Sequence, residues 1–212
     1  MSDELPDSKA GRVDWVIRAP DNAEMRRRYD IWAEQYDNDV GSVSDYCAPG
    51  ELAKMAARHI DPGALIIDAG AGTGRVAAAL TEHGYKNLIA LDYSERMLAV
   101  ARAKGLYRQL QQVDLSRPTA LEANVADALV TCGTTTQVPC ASLNEYVRLV
   151  KAGGKIVFAA VQGTWEECGY AAIYKELEDR SQIALFERGE PFQMMPTTEP
   201  DFICEIWVME VR

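Results

Sequence analysis

Three aspartates, each at the end of a β-like run, carry the chemistry that this sequence can do. Asp68 closes Leu65-Ile66-Ile67-Asp68, Asp92 follows Asn87 to Leu91, and Asp114 follows Tyr107 to Val113. Between the first of these and an alanine-rich amphipathic run lie glycines at alternate positions, Gly70, Gly72 and Gly74. Glycine lets backbone approach a ligand where a side chain would collide. A helix start offers unpaired N–H groups to an electronegative group. A strand, a tight turn and a helix start at this point therefore predict a site for a nucleoside-containing ligand. A dinucleotide site needs Gly-x-Gly-x-x-Gly, and its third position counted from Gly70 is Arg75, so that pattern is not met. Asp68 would oppose a pyrophosphate but attract the ammonium of an amino acid. Asp92 is placed to accept from two ribose hydroxyls, and Asp114 from an adenine amino group. The set suits an aminoacyl-type nucleoside with free hydroxyls better than a phosphate-rich one.

Alternating strands and helices must hold these residues. Residues 1–20 are polar and broken by Pro6, Gly11 and Pro20, which predicts a flexible N-terminal arm in which Val13, Trp15, Val16 and Ile17 are free to dock; residues 21–212 form a single domain. Asp21 or Asn22 caps a helix whose Met25, Tyr29, Trp32, Tyr36 and Val40 recur at three and four residues, ending at Gly41 to Asp45. The Arg26-Arg27-Arg28 run beside that stripe reads as a solvated face. Pro49 opens a second helix, Glu51 to His59, and the Asp61-Pro62-Gly63 turn stops it. Then follow a strand from Ala64 to Asp68, a helix from Arg75 to His83, a strand from Asn87, a helix capped by Ser94, and strands from Tyr107 and Ala126. A helix from Ser142 to Val150, a turn from Lys151 to Gly154 and a strand from Lys155 to Val161 continue the alternation. This is an α/β pattern: a parallel sheet with right-handed crossovers and helices on both faces. A helix from about Trp165 to Arg180 leads to two β-like runs, Gln182 to Met195 and Phe202 to Val211, which pair as an antiparallel hairpin.

Composition narrows the partners. The chain has 212 residues, enough for one full core, and 22 basic against 32 acidic residues give a net charge of −10. Such a surface repels phosphate backbones and anionic membranes, so the expectation is neither a nucleic-acid nor a membrane partner. No apolar stretch approaches a membrane span and the acidic start lacks a signal-peptide pattern. Five cysteines without a Cys-x-x-Cys pair read as reduced thiols of a cytoplasmic protein, with no metal expected. His59 and His83 fall at helix ends, away from the strand tips.

The strand-end set resembles the class I S-adenosylmethionine-dependent methyltransferases over nearly all of the chain from about residue 22. Asp68 to Gly74 looks like that family's first motif, Leu91-Asp92-Tyr93-Ser94 its ribose-binding strand end, and Val113-Asp114-Leu115 its adenine-contacting segment. Asp127 to Val138 resembles the fourth motif, and Leu149 to Gly154 the turn before the fifth strand, with alanine where proline is common. Tyr29-Asp30-x-Trp32-Ala33-x-x-Tyr36-Asp37 resembles the lid helix of a small-molecule subgroup akin to ubiquinone-biosynthesis and Williams-Beuren-region methyltransferases. The resemblance implies a Rossmann-like seven-stranded, mostly parallel sheet of order 3-2-1-4-5-7-6 with the last strand antiparallel. It implies S-adenosylmethionine as cofactor, a small-molecule methyl acceptor and a monomer or homodimer. The cofactor would be held by Asp68, Ala69, Gly70, Gly72 and Gly74; by Asp92, Tyr93, Met97, Asp114, Leu115 and Cys132; and by Tyr29 and Tyr36 of the lid.

Where that subgroup often has a histidine before the valine-proline after the fourth strand, this chain has Gln137 before Val138-Pro139. An amide can position but cannot take a proton. Tyr36, the 132–137 loop and the 165–174 region are expected to shape the acceptor pocket. The catalytic candidates are Tyr36, Asp37, Tyr46, Gln137 and Glu166, none of them singled out. Two rival functions remain: a catalytically silent protein that binds the cofactor, and a nucleotide-dependent oxidoreductase.

Overall fold

The computed structural model describes residues 5–43, 46–196 and 199–212. A sheet of order β3-β2-β1-β4-β5-β8-β6, with β7 also paired to β8, runs through the molecule. Its strands are β1 (Ile66–Ala69), β2 (Leu88–Asp92), β3 (Gln109–Gln112), β4 (Ala126–Cys132), β5 (Val150–Val161), β6 (Ile183–Arg188), β7 (Phe192–Met195) and β8 (Glu199–Val211). The first five are mutually parallel, and β8 lies antiparallel to β5. This is the expected order with one more strand. The run from Gln182 to Met195 is two strands, not one, and both pair with β8. The expected turn at 151–154 is a bulge within β5: Ala126 faces Val150 and Ala128 faces Lys155, so four residues are looped out.

Apolar side chains cover both faces. Ile67, Leu91, Leu129 and Phe158 face one side, and Ile66, Leu88, Val130 and Val157 the other. Such two-sided burial is what near-continuous apolar runs in parallel strands require. The helices are α1 (Lys9–Ile17), α2 (Asn22–Val43), α3 (Ala48–His59), α4 (Arg75–Glu82), α5 (Glu95–Ala103), α6 (Ser142–Leu149), α7 (Thr164–Glu167) and α8 (Tyr170–Asp179). The helix expected from Trp165 to Arg180 is split at Gly169, whose φ of +82° no continuing helix can hold. Among the described residues no helix is long and apolar enough to cross a membrane.

Two differences from the sequence reading concern the first 43 residues. The expected flexible arm contains α1, capped by Ser8, whose Oγ accepts from Gly11 N at 3.1 Å. Val16 is buried, and Arg28 of α2 both lies over the Trp15 ring and donates to the Trp15 carbonyl. Gly41 does not stop α2, which continues to Val43. A helical glycine costs about 1 kcal/mol, less than packing can return, and buried Val40 supplies such packing one residue before it. Ser44 and Asp45, expected within the break, lie outside the described residues.

Asp39 joins the two helices. Its Oδ2 accepts from Trp32 Nε1 at 2.7 Å and from the Arg12 guanidinium of α1 at 2.5 Å, with the carboxylate almost fully buried. Removing one partner of a buried ion pair leaves an uncompensated charge. Asp39→Ala is therefore expected to lower the unfolding free energy by about 3 kcal/mol and to open residues 8–20 to limited proteolysis before the rest of the chain. Urea titration and a protease time course measure both, and an unaltered digestion pattern would contradict the docking role.

Candidate functional site

Parallel register brings the C-terminal ends of β1, β2 and β3 side by side, with Ala69 opposite Leu91 and Asp92 opposite Gln112. The glycine turn leaves β1 and rides on β2: Gly70 N and Ala71 N both donate to the Leu91 carbonyl, at 2.8 and 3.1 Å. At Gly70 (φ +76°) a Cβ would stand 2.3 Å from Thr134 Cγ2, so only glycine lets the turn pass under the β4–α6 loop. At Gly72 (φ +53°) a Cβ would meet nothing within 4 Å, because this residue faces open space. That space is a cavity of about 600 Å³.

The cavity gathers much of the expected site. Gly70, Gly72, Asp92, Tyr93 and Met97 line one wall, and Asp114, Leu115, Cys132, Tyr29 and Tyr36 also face it. Of the catalytic candidates, Tyr36, Tyr46 and Gln137 are there as well. The Asp92 carboxylate accepts from Gly72 N at 2.7 Å and from Ser94 N at 2.8 Å, which ties the glycine turn to the start of α5. Asp114 Oδ1 accepts from Ser116 N and Oγ at 2.9 and 2.5 Å. The lid helix α2 crosses above. Its Tyr29, Trp32 and Tyr36 rings pack at 4.8 to 6.5 Å, and Tyr29 Oη accepts from Gln137 Nε2 at 2.7 Å across the cavity.

Several expected residues lie elsewhere. Asp68, Ala69 and Gly74 are not in the cavity wall. Asp68 and Ala69 are fully buried beneath the turn, and Gly74 caps α4. Asp37 does not face the cavity. It accepts from Thr73 Oγ1 at 2.6 Å and from Lys104 Nζ at 2.5 Å, so it holds α2 to the turn and to α5. Glu166 lines a separate cavity of about 300 Å³ with Trp165, Arg188 and Glu205. In the 165–174 region expected to shape the acceptor pocket, Trp165 and Tyr170 are core residues. Trp165 stacks on Trp207 at 5.0 Å, and only the preceding Thr164 reaches the main cavity. The arginine run is not a solvated face either: Arg28 is buried and Arg26 lines the cavity. Asp30, Tyr107 and Thr134 complete the site's framework and were not singled out by the sequence. Only Asp30 carried a signal, its place in the Tyr29-Asp30-x-Trp32 pattern.

The chain is similar to several known proteins. Residues 67–158 match a family described as a methyltransferase domain. Methyltransferase-like protein 27 of Homo sapiens is 37% identical over 159 residues, covering 72% of this chain and 63% of that one. The demethylmenaquinone methyltransferase of Bacillus cereus is 34% identical over 113 residues, 49% of this chain and 47% of the other. The chain thus spans less than two thirds of the length of these curated relatives. A TehB-like S-adenosylmethionine-dependent methyltransferase from Corynebacterium glutamicum superposes with a TM-score of 0.63 at 19% identity, over 87% of this chain and 98% of that one. These likenesses support a class I S-adenosylmethionine-dependent methyltransferase. The cofactor that this family implies fits the residues present. Gly72 leaves room for a close approach, the carboxylates of Asp92 and Asp114 face the cavity, and Asp68 Oδ1 is a buried acceptor without a partner among the described residues.

Burial sets the electrostatics of the site. It pushes the Asp92 carboxyl up, opposed by the N–H groups of Ser94 and Gly72. It pushes the Tyr36 phenol and the Cys132 thiol each up to about 12, and the Tyr29 and Tyr46 phenols up as well. Tyr46 Oη and Cys132 Sγ lie 3.3 Å apart. Burial also raises Asp68 to about 7, against the Tyr107 hydroxyl, which donates to its Oδ2 at 2.5 Å. The other titratable groups close to Asp68 are Asp92 and Cys132.

Asp68 predicts how the cofactor-free protein responds to pH. The unfolded aspartate titrates near 3.9, and the folded one higher, so between about pH 4 and about 7 the folded chain binds more protons than the unfolded one. Its stabilising contribution is full below that window and is lost as the pH rises through it. The urea midpoint of the cofactor-free protein is expected to fall between pH 5 and pH 8, and Asp68→Asn to flatten that segment. An equal slope in the variant would assign the titration to another group.

Proposed function

We propose that the protein transfers the methyl group of S-adenosylmethionine to a small, largely apolar molecule enclosed beneath the lid. The observation that carries this reading is that one cavity runs from Gly72 and Asp92 to an apolar lobe walled by Val161, Met194, Met195 and Phe202. The two ends lie over β2 and over β5 and β8, three to four strand spacings apart, roughly 14–19 Å. That length accommodates the nucleoside and amino-acid parts at one end and an acceptor at the other. The similarity to proteins named demethylmenaquinone methyltransferase supports a small molecule as acceptor.

When bound, S-adenosylmethionine supplies an electrophilic methyl group on a positively charged sulfur. The work left to the chain is alignment and exclusion of water. Gly70, Gly72, Asp92 and Asp114 fix one reactant; Tyr36, Tyr46, Cys132 and the apolar lobe fix the other. Holding reacting groups at near-attack distance can supply about 7–11 kcal/mol in well-oriented systems. Proton transfer is a poor match for these side chains. A general base works best near the operating pH, and the phenols of Tyr29, Tyr36 and Tyr46 and the Cys132 thiol are all shifted away from it. Gln137 donates to Tyr29 and offers no base. The acceptor atom therefore enters already deprotonated, its proton left in solvent, or carries none to lose.

Labelled S-adenosylmethionine and a native metabolite extract test the reading directly. A labelled apolar product is the expected result. Tight cofactor binding with no labelled product from any extract would favour the catalytically silent alternative, and stabilisation by NAD or NADP in place of S-adenosylhomocysteine would favour an oxidoreductase. With the acceptor in hand, the pH profile of kcat/KM is expected to follow the acceptor's own pKa. Asp92→Ala is expected to weaken S-adenosylmethionine binding by about 1.5–3 kcal/mol, the range for a hydrogen bond to a charged group. Calorimetry giving wild-type affinity would remove Asp92 from the binding set.

A further inference from the structure

The first turns of α2 place Asn22, Met25, Arg26 and Tyr29 along the cavity. Arg26 is unlike the two arginines that follow it. Arg27 and Arg28 donate to Glu24, whereas no carboxylate pairs with Arg26 among the described residues. Its Nε is buried without a hydrogen-bond partner, and its guanidinium carbon lies 5.3 Å from the centre of the Tyr93 ring. A buried N–H with nothing to donate to is costly, and its persistence calls for a partner.

Position narrows what that partner is. Tyr93 directly follows Asp92, and Ser94 follows Tyr93, so Arg26 stands over the β2 end of the cavity. It does not stand over the apolar lobe at β5 and β8. It is also held there. One turn further along α2, Asp30 accepts from Ser94 Oγ at 2.6 Å and from Arg96 N at 3.3 Å, which pins the lid helix to the start of α5. The carboxylates of Asp92 and Asp114 border the same end. A planar cation that pairs with no carboxylate among the described residues, beside two acceptors, matches a purine nucleoside: an aromatic face for the guanidinium and ring or sugar heteroatoms for its terminal N–H groups.

We propose that Arg26 is the residue by which the lid recognises the nucleoside end of the cofactor. This rests on the reading of the cavity as an S-adenosylmethionine site. The role needs planarity as well as charge, so lysine does not replace it.

Calorimetry on the full chain tests the assignment with two probes: S-adenosylhomocysteine, and 5′-methylthioadenosine, which lacks the amino-acid end. In Arg26→Ala and in Arg26→Lys the affinity for both probes is expected to fall by the same factor, roughly 3- to 30-fold for the loss of such a contact. Unchanged melting temperatures establish that the variants are folded, as a partly exposed side chain predicts. Wild-type affinity in Arg26→Ala overturns the proposal, as does wild-type affinity in Arg26→Lys. Weakening confined to S-adenosylhomocysteine overturns it too, because it places Arg26 on the amino-acid end. A wild-type protein that binds neither probe overturns the reading of the cavity itself, and the inference with it.

Discussion

The carboxylate of Asp92 is the constraint around which the site is built. It is half-buried at a strand end and needs donors there, since a partly desolvated carboxylate without them would be disfavoured. It takes them from the backbone of two successive βα turns, Gly72 N after β1 and Ser94 N after β2. The glycine turn is thereby fixed to the neighbouring strand, not left as a free loop. The remaining contacts extend from this one. Leu91 O receives the first two N–H groups of the turn, Thr134 closes on Gly70, and Ser94 holds the lid through Asp30. A single group thus sets the relative position of β1, β2, α5 and α2.

Asp68 and Asp92 have the same side chain and opposite surroundings. Asp92 satisfies both oxygens with N–H groups and still faces the cavity. Asp68 has a single donor, Tyr107, and one oxygen with no partner among the described residues. Burial acts on both, but only Asp92 has backbone N–H groups offsetting it. The outcome is a division of labour within one strand-end row. Asp92 is an acceptor at the cavity surface, and Asp68 is a group under the turn whose charge depends on what lies nearby. A cationic ligand above the turn would favour its ionised form, which couples the protonation of Asp68 to occupancy of the site.

The sheet order and the glycine turn were legible because local rules and tertiary demands agree there. The apolar runs ending at Asp68 and Asp92, each before a turn and a helix, leave few alternatives to a parallel sheet, and the glutamine-rich run before Asp114 extends it. Legibility failed where one distant contact decided the outcome. Residues 9–17 read as an arm because they lie in a polar stretch broken by Pro6, Gly11 and Pro20, but Arg28 and Asp39 give Trp15 and Arg12 fixed partners. Asp37 and Glu166 are carboxylates of the right type in suggestive neighbourhoods, yet Lys104 claims the first, and Gly169 breaks the helix that was to aim the second at the pocket. Arg26 was hidden by its own sequence context, because three consecutive arginines look alike until the helix assigns each a different direction.

The bond between Gln137 and Tyr29 ties the lid to the β4–α6 loop without placing an imidazole in the cavity wall. A histidine at this position would compete between proton transfer and contact with the lid. The amide has only the second option, and uses it, with Nε2 donating at 2.7 Å to a phenol that burial keeps protonated. Tyr29 sits on the same face of α2 as Arg26 and Tyr36, so this bond connects the β4–α6 loop to the helix that covers the cavity. Each element of the lid is then held at its own strand end: Asp30 at β2, Asp37 at the β1 turn and Tyr29 at β4. These three points hold α2 over a cavity whose wall carries phenols and a thiol beside Asp92, Asp114 and Arg26. On the proposed function, displacement at a sulfonium would gain there from alignment of the reactants.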